Sequence, residues 1–167
     1  MHLLENLNSF PDNFDAEMKR LSLREFVVKY FDKAYEHLSL RELRGVPVSA
    51  ISGVSEADAA DLKNAFGIKT VGDFATNKNV LLAQAINAFS RYSAKVLDKE
   101  FESTEFEKLR EKPVFAISGV SEGDAALLKK AFGIDTIGEL AENKYVQIAQ
   151  LATIPVSLME LLEASSP

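Results

Sequence analysis

The stretch PVSAISGVSEADAADLKNAFGIKTVGDFATNKNVLLAQ, Pro47 to Gln84, returns 66 positions later as PVFAISGVSEGDAALLKKAFGIDTIGELAENKYVQIAQ, Pro113 to Gln150. Of the 38 aligned positions 26 are identical. A fixed period of this size marks a chain built by repeating one supersecondary unit. It also directs the search for a working surface to features that occur twice. The register continues upstream of the obvious identity: Phe26 aligns with Tyr92, Lys29 with Lys95, Asp32 with Asp98, Lys33 with Lys99, Tyr35 with Phe101, and Leu43-Arg44 with Leu109-Arg110. Each unit is therefore expected to hold a long helix, a short helix and then the strongly matching segment. The boundaries predicted are a helical extension over 1–22, a first unit over 23–88 and a second over 89–167.

Helix starts are marked by capping boxes, in which a Ser or Thr side chain caps the helix and an acid three residues on bonds back. The pattern occurs at Ser22–Glu25, Ser39–Glu42, Ser55–Asp58, Thr70–Asp73, Thr104–Glu107, Ser121–Asp124, Thr136–Glu139 and Ser157–Glu160. Each precedes an apolar periodic run, and no stretch alternates with period two over strand length, so the chain reads as all-α. In the first copy Leu23, Phe26, Val27, Tyr30, Phe31, Ala34 and Leu38 fall on one stripe at helical spacing, read as core.

Inside the matching segment, Ile51-Ser52-Gly53-Val54-Ser55 is a tight turn leading into a helix over 56–66, with Ala59, Leu62, Ala65 and Phe66 on its inner face. Gly67 ends that helix, because glycine accepts the left-handed conformation of a helix cap, and Ile68 supplies the accompanying apolar contact. Thr70 starts the next short helix. Gly133, Ile134 and Thr136 repeat the arrangement. A fainter echo of the Ile51–Leu62 template runs from Ile86 to Leu97, and another from Ile154 to Ser157 with Pro155 at the glycine place. These echoes predict a second hairpin in each unit. A continuous helical connection around Ser90–Glu102 is expected to join the copies, since no Gly/Pro/Ser-rich linker separates them.

Composition bounds the chemistry. The 167 residues are 47% hydrophobic and 26% charged, the balance of a folded protein with a core. There is no cysteine, so disulfides, thiol nucleophiles and thiolate metal sites are excluded. His2 and His37 are the only histidines and stand far apart in sequence, which argues against metal or histidine chemistry; no cofactor is expected. The opening MHLLENLNSFPDNFD has acids within its short apolar stretch and no basic leader, unlike a signal peptide. No run reads as the ~20 continuous apolar residues of a membrane span. The expectation is a soluble, cytoplasmic protein without a membrane partner. Net charge is −6, distributed as 0 over 23–88, −2 over 89–154, and −2 in each flanking segment, so no region is a basic domain.

The turn, the Ala- and Leu-bearing helix and the following Gly-Ile-x-Thr-apolar-x-acid run resemble the helix-hairpin-helix superfamily. The likeness is closest to the double-hairpin form of recombinase N-terminal domains and of the C-terminal domain of the RNA polymerase α subunit. It is good over 50–75 and 116–141, weak over 80–97 and 146–164, and absent from 1–45. The resemblance implies an all-α fold of tandem duplicated helix-hairpin-helix (SAM-like) units with an added N-terminal helical segment. Family members that bind DNA present a Gly-apolar-Gly turn to a phosphate at a helix N-terminus, without reading sequence. Carried over, Gly53-Val54-Ser55 and Gly119-Val120-Ser121 are the candidate binding turns.

This chain departs from that pattern in three ways. Ser55 and Ser121 replace the second glycine. Glu56 and Asp58, with Glu122 and Asp124, put two carboxylates where a phosphate would sit. Ala88 and Pro155 occupy the glycine place of the second hairpins. Acids at a helix N-terminus satisfy its dipole, which is the structural reason for their presence, and they also repel phosphate. Lys63, Lys69, Arg91, Lys129 and Lys130 are the candidate phosphate contacts of a nucleic-acid reading, with Lys78 and Lys144; a solvated helix surface explains them equally well. Ser55 and Ser121 have no neighbouring base and read as caps rather than nucleophiles. The expected function is a non-catalytic scaffold or adaptor that binds another protein. The alternative is a sequence-independent nucleic-acid-binding protein acting through the hairpin turns, and an enzyme ranks third.

Overall fold

In the computed structural model, which describes residues 23–96 and 105–165, the chain is helical and no strand occurs among the described residues. The α-helices in order are α1 (Leu23–Tyr30), α2 (Leu40–Leu43), α3 (Glu56–Phe66), α4 (Val71–Thr76), α5 (Lys78–Val96), α6 (Glu105–Arg110), α7 (Glu122–Phe132), α8 (Ile137–Ala141) and α9 (Lys144–Ala164). Short 3-10 turns at Val48–Ala50 and Val114–Ala116 precede α3 and α7. The isolated bridges Pro47↔Thr70 and Pro113↔Thr136 recur at the same register.

Local chemistry sets the helix ends. Ser39, Ser55, Thr70 and Ser121 close reciprocal capping boxes with Glu42, Asp58, Asp73 and Asp124. Thr136 accepts from the Glu139 N–H at 3.1 Å, while the Glu139 carboxylate turns to the Asp135 N–H instead. Gly67 and Gly133 end α3 and α7 at φ 69° and 67°, the left-handed conformation that glycine takes at least cost. Asn143 starts α9, its side-chain oxygen accepting from the N–H groups of Tyr145 and Val146.

Helix α3 packs on α7, the same element of the other copy. The long helices then exchange: α5 packs on α8 and α6, while α9 packs on α4 and α2. The core is continuous between the copies, with Leu62, Ile68, Val71 and Phe74 from one and Leu128, Ile134, Ile137 and Leu140 from the other enclosed. Arg44 bonds Glu160 in a two-pronged pair at 3.1 and 3.2 Å, and Arg110 reaches Asn87 and Glu142. Each arginine thereby ties a short helix to an element of the opposite copy.

Several sequence expectations are corrected. The first helix stops at Tyr30 rather than running to Leu38, because the Asp32 and Ser52 N–H groups bond the carbonyls of Ala50 and Tyr30 and pin Phe31 beside Ile51. Val27 and Phe31 are core, but Ala34 is exposed. The second hairpins are not formed: Ile86–Ser90 lies inside α5, and Ile154–Ser157 lies inside α9 with Pro155 as an internal residue. Ser157 therefore caps nothing, and its hydroxyl donates to the Thr153 carbonyl one turn back. Helix α5 carries the chain through position 88/89 without a break as far as Val96. The remainder of the expected connection, the 1–22 extension and the caps at Ser22 and Thr104 lie outside the described residues.

The span Ile137–Ala164 is, by length and composition only, apolar enough to cross a membrane, with mean hydropathy 1.3. It contains the break between α8 and α9, and its uncharged part, Tyr145–Met159, is 15 residues, short of the ~20 that a span requires. One side of that run is buried through Val146, Ala149, Ala152 and Val156.

Candidate functional site

The two candidate turns have the same backbone. Gly53 and Gly119 stand at φ 95° and 89°, values that an L side chain rarely adopts, and Val54 and Val120 tuck inward at 5% and 6% exposure. Ser55 and Ser121 are exposed. In each turn the valine N–H bonds the isoleucine carbonyl three residues back, at 3.0 Å. The serine N–H donates to the Asp58 or Asp124 carboxylate at 3.0 Å, and the serine hydroxyl accepts from that aspartate's own N–H. The valine and serine N–H groups of each turn are thus already engaged, the serine's by a carboxylate.

The turns differ in what surrounds them. Tyr145 lies over the first: its hydroxyl donates to the Gly53 carbonyl at 3.4 Å, and a methyl group on Gly53 would fall 2.7 Å from that oxygen. The ring is held by Phe132, 5.3 Å away between centroids, which in turn stacks on Phe74. For the second turn the counterpart of Tyr145 is Asn79 of the first copy, and a methyl group on Gly119 would meet nothing within 4 Å.

Beside the second turn lies a groove of about 520 Å³, with a floor that includes Pro113, Phe115, Ala125 and Ile134 and an acidic rim of Glu111, Glu122 and Asp135. Phe115 is 43% exposed despite its size. Lys129, also in the lining, is ion-paired with Asp135, and that hydrogen bond holds its ammonium above its ordinary value. The groove thus carries an excess of negative charge. In the first copy the positions of Glu111, Phe115 and Asp135 are Gly45, Ser49 and Lys69, so the apolar anchor does not recur, and of the three rim acids only Glu122 has an acidic counterpart, Glu56.

The candidate cations differ in their surroundings. Lys63, Lys69 and Lys78 are exposed on separate elements. Lys130 faces the buried carboxylate of Asp61 at 3.7 Å, and Lys144 lies over the Tyr145 ring at 4.9 Å. Arg91 sits on α5, and its side chain lies outside the described ones. Sequence reasoning missed Tyr145, Phe115, Glu111 and Asp135. Their signal lies at positions where the copies differ, whereas a repeat draws attention to positions where they agree.

Among the described residues no group of three His, Asp or Glu side chains is placed to hold a metal ion. Comparison with protein families, curated proteins and solved structures returned no match.

Proposed function

We propose that this chain is a non-catalytic helix-hairpin-helix adaptor whose second glycine turn, at Gly119, binds a segment of another protein that is basic and carries an apolar anchor. The observation that carries this reading is the groove beside Gly119. A half-exposed Phe115 lines it with Pro113, Ala125 and Ile134, and Glu111, Glu122 and Asp135 outnumber the single, already paired Lys129. A peptide side chain seated on Phe115 with Lys or Arg beside it gains apolar burial and meets complementary charge. A polyanion meets repulsion at the same place.

The same electrostatics disfavour the nucleic-acid reading, which draws its support from the glycine turns at helix N-termini and the exposed Lys63 and Lys69. Two measurements separate the readings. Selection from a library of short displayed peptides is expected to enrich an apolar residue flanked by Lys or Arg, and Phe115→Ser or Glu122→Lys abolishes the enrichment. Fluorescence anisotropy with duplex DNA at near-physiological salt is expected to show nothing tighter than the non-specific range of about 10⁻⁴–10⁻⁶ M. Sub-micromolar DNA binding by the parent overturns the adaptor reading. With Glu56→Lys and Glu122→Lys combined, salt-sensitive DNA binding is expected to appear, because the mutations remove carboxylates that guard the turns.

A further inference from the structure

Helix α9 is apolar on two opposite sides. One side, through Val146, Ala149, Ala152, Thr153 and Val156, is buried against α4 and α2. On the other, Leu151, Ile154, Leu158 and Leu161 are exposed by 58%, 39%, 60% and 67%. Their spacing of three, four and three residues is the a/d pattern of a helix that pairs with another helix, and Leu and Ile are the residues such a seam selects. A helix hydrophobic all round is ordinarily covered on both sides.

We infer that the chain self-associates as a symmetric dimer through this seam, α9 packing antiparallel on α9 of a second copy. Three observations choose that occupant. The first is area: the four seam residues and the flanking Leu162, 65% exposed, offer about 500 Å² per copy, so a symmetric pair that covers them reaches the ~1,000 Å² that a specific interface needs to clear. The second is charge. From Tyr145 to Met159 the helix has no ionised side chain, so the seam has nothing for a charged partner to match and nothing that repels a copy of itself. Helices that lie on lipid instead carry Lys and Arg along their polar flank, and beyond Lys144 at its start α9 has only Glu160 and Glu163. The third is geometry. Antiparallel pairing centred between Ile154 and Leu158 sets Leu151 against the partner's Leu161 and Ile154 against the partner's Leu158. It also brings Lys144 to the partner's helix C-terminus, where a cation is favoured.

Sedimentation velocity of the full chain from about 1 to 200 μM tests this, since micromolar pairing would be populated across that range. The expected result is a mass rising from monomer towards dimer with concentration, and a dissociation constant at least about tenfold weaker in Leu158→Lys with an unchanged helical spectrum. Phe115→Ser, at the separate groove, leaves the constant unaltered. The lack of cysteine allows a direct test of orientation: Leu151→Cys mixed with Leu161→Cys is expected to cross-link between the two variants more than either does with itself. A monomer at every concentration, a dimer indifferent to Leu158→Lys, or Leu158-dependent binding to neutral phosphatidylcholine vesicles in place of self-association each overturns the inference.

Discussion

Gln84 and Gln150 exchange two amide hydrogen bonds, each donating to the other's oxygen at 2.7 and 2.6 Å. They are the same position in the two copies, 66 residues apart. A reciprocal pair between equivalent positions is what an approximate two-fold between the copies places together. The packing follows that relation, since α3 meets α7, and the α4–α9 contact is answered by α8–α5. The pair is part-buried, and the Gln150 side-chain nitrogen also donates to the Ala75 carbonyl. Replacing Gln84 leaves the Gln150 side-chain oxygen without its donor, and replacing Gln150 leaves both polar atoms of the Gln84 amide without these partners. Gln84→Leu and Gln150→Leu should each cost about 1–3 kcal/mol, and the double variant less than the sum, because the second substitution removes the orphaned partner. Urea titration of the four proteins checks this; strict additivity would mean that the pair is not coupled.

Two classes of glycine respond differently to alanine. At Gly67 and Gly133 an added methyl group meets nothing within 4 Å, so the cost is only that of the left-handed backbone, about 1 kcal/mol. At Gly72 the methyl group would stand 2.9 Å from the Arg44 carbonyl oxygen, which is backbone and which also accepts the Gly72 N–H. Gly72→Ala must therefore separate α4 from the end of α2 and should cost roughly 1–3 kcal/mol. Its counterpart Gly138, with the nearest backbone oxygen at 3.2 Å, should be more tolerant. Thermal melts of the alanine variants give the order, and Gly72→Ala as stable as the parent would refute the close approach.

What was legible in the sequence is what short-range chemistry decides. A Ser or Thr three residues before an acid closes its box within one turn, so Ser39, Ser55, Thr70 and Ser121 could be read directly. The glycine caps were legible for the same reason. The end of α1 was not, because it depends on hydrogen bonds between Tyr30–Asp32 and Ala50–Ser52, some twenty residues away. Ser157 carried the cap signal without the structure: a serine hydroxyl inside a helix can bond the preceding turn, as Ser157 does, and packing keeps the helix continuous. The exchange of α5 and α9 between copies has no local signature. Nor has the difference between the turns, which rests on Tyr145 crossing to Gly53 from the opposite copy.

Acid should loosen the contact between α2 and α9. The bond from Arg44, aided by Arg41, holds the Glu160 carboxyl below its ordinary value of 4.5. A carboxyl depressed in the folded state contributes stability that is fully present above the unfolded value and is lost as pH falls through the folded one. Glu160→Gln should therefore reduce stability at neutral pH and flatten the pH dependence in the acid limb below about pH 4.5. Because the pair is partly solvated, salt should weaken it as well. Stability curves at several pH values compare the two proteins, and parallel acid limbs would show that Glu160 does not contribute.

The contact between α3 and α7 contains one buried carboxylate. Asp61 is 6% exposed, and its partner Lys130 reaches it at 3.7 Å from a side chain that is 71% exposed. At the equivalent place of the second copy the residue is Leu127. A carboxylate withdrawn from water and matched by a single solvated ammonium recovers little of its desolvation cost. Asp61→Leu, which installs the residue that the other copy already carries, should leave stability unchanged or raise it by about 1 kcal/mol. Lys130→Ala should do the reverse and destabilise, since it leaves the buried carboxylate without its counter-charge. The double variant should resemble Asp61→Leu alone, because without the aspartate Lys130 has no partner to lose at that site. Chemical denaturation of the three variants decides the matter: a large loss in Asp61→Leu would mean that the ion pair holds α3 and α7 together, and that the apolar packing around Leu62 and Leu128 is the lesser part of the contact.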